Sequence, residues 1–270
     1  MSTAVASTTM TLTVAGIGEV DLTIDQHGEG QPFLLLHGGA GPQSMAGFAA
    51  LLAGSEPAHV LTPTHPGFGG TPRPDALTSP AGLAALYRTL LDELGLDDVT
   101  VIGGSIGGWI AAELALLNSP RVSGIVLVGA IGIEVEGNPV TDVSTLALPE
   151  IMALSYHDPA PFLPDPAAFT PQQKAAMAAN RAALARYAPT NSDPTLLGRL
   201  EDVTIPTLVI CGESDQIAVP DYGRAFAKAI HFARFELLPG TGHMPMIETP
   251  QLLLSTIQNA GDTSTGTYTP

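Results

Sequence analysis

The sequence predicts an α/β fold: a mostly parallel central β-sheet with helices on both faces, interrupted by one helical insertion. Three observations carry this expectation. Continuous apolar runs at residues 32–36, 122–128 and 206–211 have the composition of strands buried on both faces. Segments with apolar residues at helical spacing alternate with them, the pattern of parallel strands joined by crossover helices. Between residues 131 and 200 the alternation stops and only helical patterns remain.

Residues 10–14 and 20–24 alternate apolar and polar side chains on either side of Gly16 and Gly18, as the two strands of a half-buried hairpin do. The turn His27-Gly28-Glu29-Gly30 precedes the buried run Pro32-Phe33-Leu34-Leu35-Leu36, which ends abruptly in His37-Gly38-Gly39-Ala40-Gly41-Pro42. A short helix over 44–52 and a strand over 59–63 follow, and 64–72 is too rich in Gly and Pro to be regular. Residues 81–94 have helical apolar spacing and stop at Gly95, a natural C-cap. The β-branched run Val99-Thr100-Val101-Ile102 then enters Gly103-Gly104-Ser105-Ile106-Gly107-Gly108, and a helix runs from Trp109 until Asn118-Ser119-Pro120 closes it. After the strand at 122–128, helices are expected at 143–155 and 171–187, separated by the proline-rich stretch 159–166. The sheet resumes at 206–211, followed by a helix over 220–230, a strand over 233–237 and a last helix over 250–258. The expected organisation is a core from 1–130 and 201–260, an insertion at 131–200 and a flexible tail at 261–270.

With 270 residues, 45% of them hydrophobic, the chain can build a full core without staples and is not disordered. No apolar run reaches the roughly 18 residues of a membrane span. One cysteine, Cys211, excludes an internal disulfide framework and fits a reducing compartment. Residues 1–10 carry no Lys or Arg and no long apolar core, so no secretory signal is expected and cytoplasm is the expected location. A net charge of −16, from 26 acidic against 10 basic residues, repels nucleic acid and anionic membranes and disfavours both as partners.

The chemistry centres on Ser105, at the apex of a strand, tight turn and helix. A serine hydroxyl is a weak nucleophile unless a general base reaches it and a carboxylate holds that base. Open α/β sheets place such groups on loops at the C-terminal ends of strands. Two such loops are available: Gly212-Glu213-Ser214-Asp215 after the strand ending at Cys211, and Gly240-Thr241-Gly242-His243 after the next strand. Asp215 is the expected acid; Glu213, Glu134 and Glu136 are the competing carboxylates. His27, His59, His157 and His231 are scattered without metal-ligand spacing, and neither a phosphate loop nor a complete dinucleotide fingerprint is present. No metal or cofactor is expected.

In the order Ser105, Asp215, His243 these motifs resemble the α/β-hydrolase-fold family, over nearly the whole length from Met10 to about Gln258. Gly103-Gly104-Ser105-Ile106-Gly107 matches its nucleophile-elbow pattern G-x-S-x-G, and His37-Gly38-Gly39 matches its oxyanion-loop motif. The resemblance implies Ser105 as nucleophile, His243 as general base and then acid, and Asp215 as the group that orients the imidazole. It implies an oxyanion hole from the backbone N–H of Ile106 together with that of Gly39 or Ala40. His37 would prop the oxyanion loop. His65 departs from the aspartate that many relatives carry before Pro-Gly-Phe-Gly, and a loop-anchoring role is expected for it.

In the resembled family the insertion lies over the sheet as a cap. Here it carries Leu146, Leu148, Ile151, Met152, Leu154, Phe162, Leu163, Phe169 and Met177, available to pack on the core or to line an apolar pocket. Trp109, Met244 and Met246 flank the elbow and the histidine loop. The expected reaction is hydrolysis of a small, largely apolar carboxylic ester through an acyl-enzyme. The alternatives are carbon–carbon bond hydrolysis of a vinylogous diketone by the same triad, and a hydrolase-like protein that binds a small ligand without turnover.

Overall fold

A computed structural model describes residues 5–55, 57–165 and 168–262, so residues 263–270 of the expected tail lie outside the described residues. Strands β1 (Ala6–Val14) and β2 (Gly18–His27) form the expected hairpin, longer than the alternating core of its pattern. There follow β3 (Gln31–Leu36), α1 (Gln43–Ser55), β4 (Ala58–Pro63), α2 (Pro80–Leu94), β5 (Val99–Gly104), α3 (Ile106–Leu116) and β6 (Val122–Val128). Next come α4 (Leu148–Ser155), α5 (Pro171–Tyr187), α6 (Leu196–Arg199), β7 (Thr207–Gly212), α7 (Pro220–Ala229), β8 (Ala233–Leu238), α8 (Pro245–Glu248) and α9 (Pro250–Asp262).

Local chemistry sets the boundaries. Ser79 caps α2 by accepting from the Gly82 N–H, Pro80 fills the first helical position, and Gly95 ends the helix at φ 61°. The expected helix at 143–155 begins only at Leu148. Pro149 removes a donor and its ring excludes a preceding helical turn, while the Glu150 carboxylate accepts from the Ala147 N–H at 2.8 Å to close the end. At the other end of the chain α9 continues past residue 258, because a single glycine, Gly261, costs a helix only about 1 kcal/mol. Between β6 and β7 the described residues contain no strand, only one isolated bridge between Gly132 and Ser192.

The eight strands lie in the order β1-β2-β4-β3-β5-β6-β7-β8. β1 and β2 are antiparallel to their neighbours, and β4 through β8 run parallel. Alternate residues of the central strands feed two cores. Leu34, Leu36, Val101, Leu127 and Val209 pack with Leu86, Ile110 and Phe226 of α2, α3 and α7. Leu35, Ile102, Val126, Val128 and Ile210 pack with Phe48 and Leu52 of α1 and Leu253 of α9. This period of two, with both faces covered, is why the strands read as unbroken apolar runs. β4 lies on one side of β3 and β5 on the other, so the order of the sheet reverses between β3 and β5. Ligand crevices in open α/β sheets form outside the C-terminal ends of the strands at such a reversal. No described helix is long and apolar enough to cross a membrane.

Candidate active site

Ser105 occupies the turn from β5 into α3 at φ 55°, ψ −119°, a backbone region that residues with a side chain rarely adopt. Its neighbours explain how the turn is held. A Cβ on Gly103 would overlap the Gly107 carbonyl, and one on Gly107 would overlap the Leu36 carbonyl, so the turn exists only because glycine lets three backbones touch. The Ser105 N–H donates to Val128 O at 2.9 Å, tying the elbow to the end of β6. Ser105 itself stays partly exposed among buried neighbours.

His243 and Asp215 are brought together across the ends of β7 and β8. The His243 ring bonds through Nδ1 to Asp215 Oδ2 at 2.7 Å, and both side chains are almost fully buried. Asp215 Oδ1 accepts from the Ile217 and Ala218 N–H groups at 2.8 and 2.9 Å, which fixes the carboxylate in its loop. An ionised carboxylate only accepts, so this arrangement puts the imidazole proton on Nδ1 and leaves Nε2 with its lone pair. A Cβ built on Gly129, the residue after Val128, would sit 3.1 Å from His243 Nδ1, which places the imidazole and the elbow on either side of the β6 terminus. No hydrogen bond joins Ser105 Oγ to His243 among the described residues. Two of the competing carboxylates are engaged elsewhere, Glu213 accepting from the Gly240 N–H and exposed Glu134 from Ser192 Oγ, and Glu136 is exposed.

The loop after β3 passes directly beside the elbow. A Cβ on Gly38 would lie 3.2 Å from Ser105 Cβ. Neither Gly39 nor Ala40 uses its N–H in a hydrogen bond among the described residues, and Ile106, as the first residue of α3, has no intrahelical acceptor. Beneath this loop lies a chain of three fully buried polar rings. His37 Nδ1 bonds to Gly38 O at 2.8 Å and its Nε2 accepts from the His65 N–H at 3.0 Å. His65 Nε2 donates to His37 O at 2.9 Å, and its Nδ1 takes a short hydrogen bond from the Tyr87 hydroxyl. Each imidazole is thereby held in one neutral tautomer. Burial lowers the His37 pKa to about 4, the bond to Gly38 opposing it, and burial with the neighbouring His37 lowers His65 well below the usual range. Both histidines thus anchor the loop, as the sequence led us to expect.

Two groups that sequence reasoning missed complete the surroundings. On α5, Asn180, Ala183, Leu184 and Tyr187 form one helical face: Asn180 bonds Ala40 O and the Gly69 N–H, Leu184 lies against Gly39, and the Tyr187 hydroxyl donates to Pro66 O. The i, i+3, i+4, i+7 spacing was the available signal, but it does not say which surface the face covers. On α8, the Glu248 carboxylate accepts from Gly242 N–H at 2.6 Å and from the N–H groups of His157 and Asp158 at 2.7 and 3.1 Å. The His243 N–H meanwhile donates to Ser155 O at 2.6 Å. Of the apolar residues expected to serve packing or a pocket, Met152 is buried, whereas Leu163 and Met177 are exposed on the outer surface. Trp109 and Met246 belong to the core.

Comparison with known proteins places this geometry in context. A family model described as "Alpha/beta hydrolase family" matches residues 33–256. The chain is 36% identical over 113 residues to a 2-hydroxymuconate semialdehyde hydrolase of Pseudomonas putida, a match spanning 41% of this chain and 40% of that relative. It is 26% identical over 262 residues to a pimeloyl-[acyl-carrier protein] methyl ester esterase of Nitrosospira multiformis, covering 89% of this chain and 98% of the other. Its fold matches that of a thermophilic esterase from Thermogutta terrifontis with a TM-score of 0.74 at 22% identity, over 95% and 98% of the two chains. With an eight-stranded sheet of this order and a family match over most of its length, the chain belongs to the alpha/beta hydrolase family.

Proposed function

We infer that this hydrolase cleaves a small, uncharged and largely apolar carboxylic ester by nucleophilic catalysis at Ser105. The observation that carries the reading is the buried 2.7 Å bond between His243 and Asp215, set beside a strained serine at the reversal of the sheet. His243 Nε2 takes the Ser105 hydroxyl proton as Oγ attacks the ester carbonyl. The tetrahedral oxyanion is held by the Ile106 N–H and that of Gly39 or Ala40, donors each worth about 3 to 4 kcal/mol of barrier in such sites. Collapse expels the alcohol, which takes the proton from His243, and water activated in the same way releases the acid and regenerates Ser105. Residues 131–200 act as a cap over this site, with α5 on the oxyanion loop and the end of α4 on the histidine loop.

The partial identity to the 2-hydroxymuconate semialdehyde hydrolase favours a second reading, carbon–carbon bond hydrolysis with the same residues. A muconate-type substrate carries a carboxylate, which needs a cation beside it when desolvated. The insertion brings uncharged Asn180 and Leu184 to the oxyanion loop, while exposed Arg181 bonds Leu146 O and Arg199 is paired with Glu113 and Asp193. That balance favours the neutral ester.

A fluorophosphonate probe should label the wild-type protein and leave Ser105→Ala unlabelled; absence of labelling in the wild type refutes a serine nucleophile. Turnover of short-chain over long-chain p-nitrophenyl esters would size the acyl pocket. Inactivity on every ester, with labelling retained, would transfer the assignment to carbon–carbon cleavage or ligand binding.

A further inference from the structure

We propose that Asn180, on the helix that covers the site, is the positioning residue of the oxyanion hole. The inference rests on the serine-hydrolase reading above and adds to it where the hole gets its shape. Besides the Ile106 N–H at the start of α3, the N–H groups available to an oxyanion belong to a loop, 37–41, that is not part of any strand or helix. A peptide unit turns as a rigid plane that carries the carbonyl of one residue and the N–H of the next. Ala40 O thus shares its plane with the Gly41 N–H, which donates to Gly38 O at 3.0 Å, and Gly38 O in turn shares its plane with the Gly39 N–H. His37 and His65 hold the loop from below, at Gly38 O and His37 O. Ser44 holds Gly41 O through its hydroxyl and its N–H at 2.7 and 3.1 Å, and from the insertion Asn180 Nδ2 donates to Ala40 O at 3.0 Å.

The other end of the same amide accepts from the Gly69 N–H at 2.7 Å, in the turn Phe68–Gly70 of the neighbouring loop. One side chain thus clamps the loop beside the elbow to the loop that carries Gly69. Its partners fix its orientation: a carbonyl requires the NH₂ end and an N–H requires the oxygen end. Asn180 is nine-tenths buried, so water does not compete freely for these bonds. The approach is also close. Gly41 sits at φ 93°, and a Cβ there would overlap Asn180 Nδ2. The remaining contacts of this helical face are Ala183 beside Gly67, Leu184 on Gly39, and Tyr187 stacked on Phe68 with its hydroxyl bonded to Pro66 O. They dock the helix, and Asn180 supplies the direction-sensitive contact. The hole is therefore complete only when α5 is seated.

The test separates transition-state from ground-state effects. Asn180→Ala removes both bonds. Asn180→Asp keeps the shape and the bond from Gly69 but sets a carboxylate oxygen against Ala40 O. The readouts are kcat and KM on a p-nitrophenyl ester, and Ki for a trifluoromethyl ketone that forms an oxyanion on Ser105. Melting temperatures identify a variant that fails to fold, in which case the other decides. The expected result is a fall in kcat of about tenfold or more with KM within about twofold, and a matching rise in Ki for the ketone. Variants that fold and keep kcat and Ki within about twofold of wild type overturn the proposal alone. A loss confined to KM overturns it as well, since that marks a substrate contact. A wild-type protein inert to the ester and to the fluorophosphonate probe overturns the serine-hydrolase reading and this inference with it.

Discussion

Acid should unfold this protein through the two histidines under the loop that follows β3. In the folded chain His37 is neutral down to about pH 4, whereas in an unfolded chain an imidazole takes up its proton near 6.5. The unfolded state therefore binds more protons between those limits. Stability from this group is complete above about pH 6.5 and is lost as pH falls toward 4, by about 3 kcal/mol in all at 1.36 kcal/mol per pKa unit. His65 is displaced in the same direction and steepens the loss. Against a typical stability of about 5–15 kcal/mol this is a large fraction. Protonating carboxylates also reduces the self-repulsion of a chain with net charge −16, which acts the other way. The sign of the slope thus decides between surface repulsion and buried imidazoles. The assay is urea unfolding at several pH values from 7.5 to 4.5, with the stability change per pH unit reporting the protons taken up on unfolding. The control is His37→Gln, whose amide oxygen reaches the position of Nε2 to accept from His65 but does not titrate. The variant should lose a proton's worth of slope, about 1.4 kcal/mol per pH unit at most. Stability that is flat or rising on acidification, or a variant with the wild-type slope, refutes the reasoning.

Other outcomes follow from the same geometry. Asp215→Asn keeps the side-chain shape but exchanges an acceptor for a donor opposite Nδ1, so kcat on a p-nitrophenyl ester should fall by about 10³- to 10⁴-fold, while Glu134→Gln should leave it within about twofold. Gly107→Ala would drive a methyl into the Leu36 carbonyl, which is backbone and cannot swing aside; a loss of about 3 kcal/mol or more in urea unfolding is expected. Glu113, buried on α3, is held by a two-pronged pair with Arg199 at 2.7 and 2.8 Å. Arg199→Met should cost about 3 kcal/mol by stranding that carboxylate, and adding Glu113→Gln should recover part of it, measured by the same unfolding curves.

Much of this architecture was legible in the sequence because its signals are local. The buried strands are runs of apolar residues, the elbow is four glycines around a serine, and Gly95 marks the end of α2. His243 and Asp215 were findable because chain order and loop position restrict which carboxylate meets which imidazole. What escaped has causes of two kinds. Pro149 decided where α4 starts, a local signal that was outweighed by the apolar spacing before it. Asn180 and Glu248 were invisible for a different reason: their partners are backbone groups as far as 140 and 91 positions away, and a backbone N–H or carbonyl leaves no mark on the sequence.

The Glu248 bridge bears on how specificity in this fold can change. Its carboxylate grips the chain at 157 and 158 through main-chain N–H groups, and His243 is tied to the main-chain oxygen of Ser155. Attachment through the main chain is indifferent to side-chain identity. Residues 155, 156 and 158 can therefore be rewritten without unfastening the histidine loop, provided the backbone path is kept and no proline removes an N–H at 157 or 158, whereas the His157 ring is itself bonded to Ser214 Oγ at 2.7 Å. Recombinants that exchange the covering segment should tolerate a junction on the N-terminal side of residue 155. There the graft would meet the loop of His243 through main-chain atoms, with the 157 and 158 N–H groups supplied by every amino acid but proline, and selection would be free to alter the other side chains of the segment while this joint stays fixed.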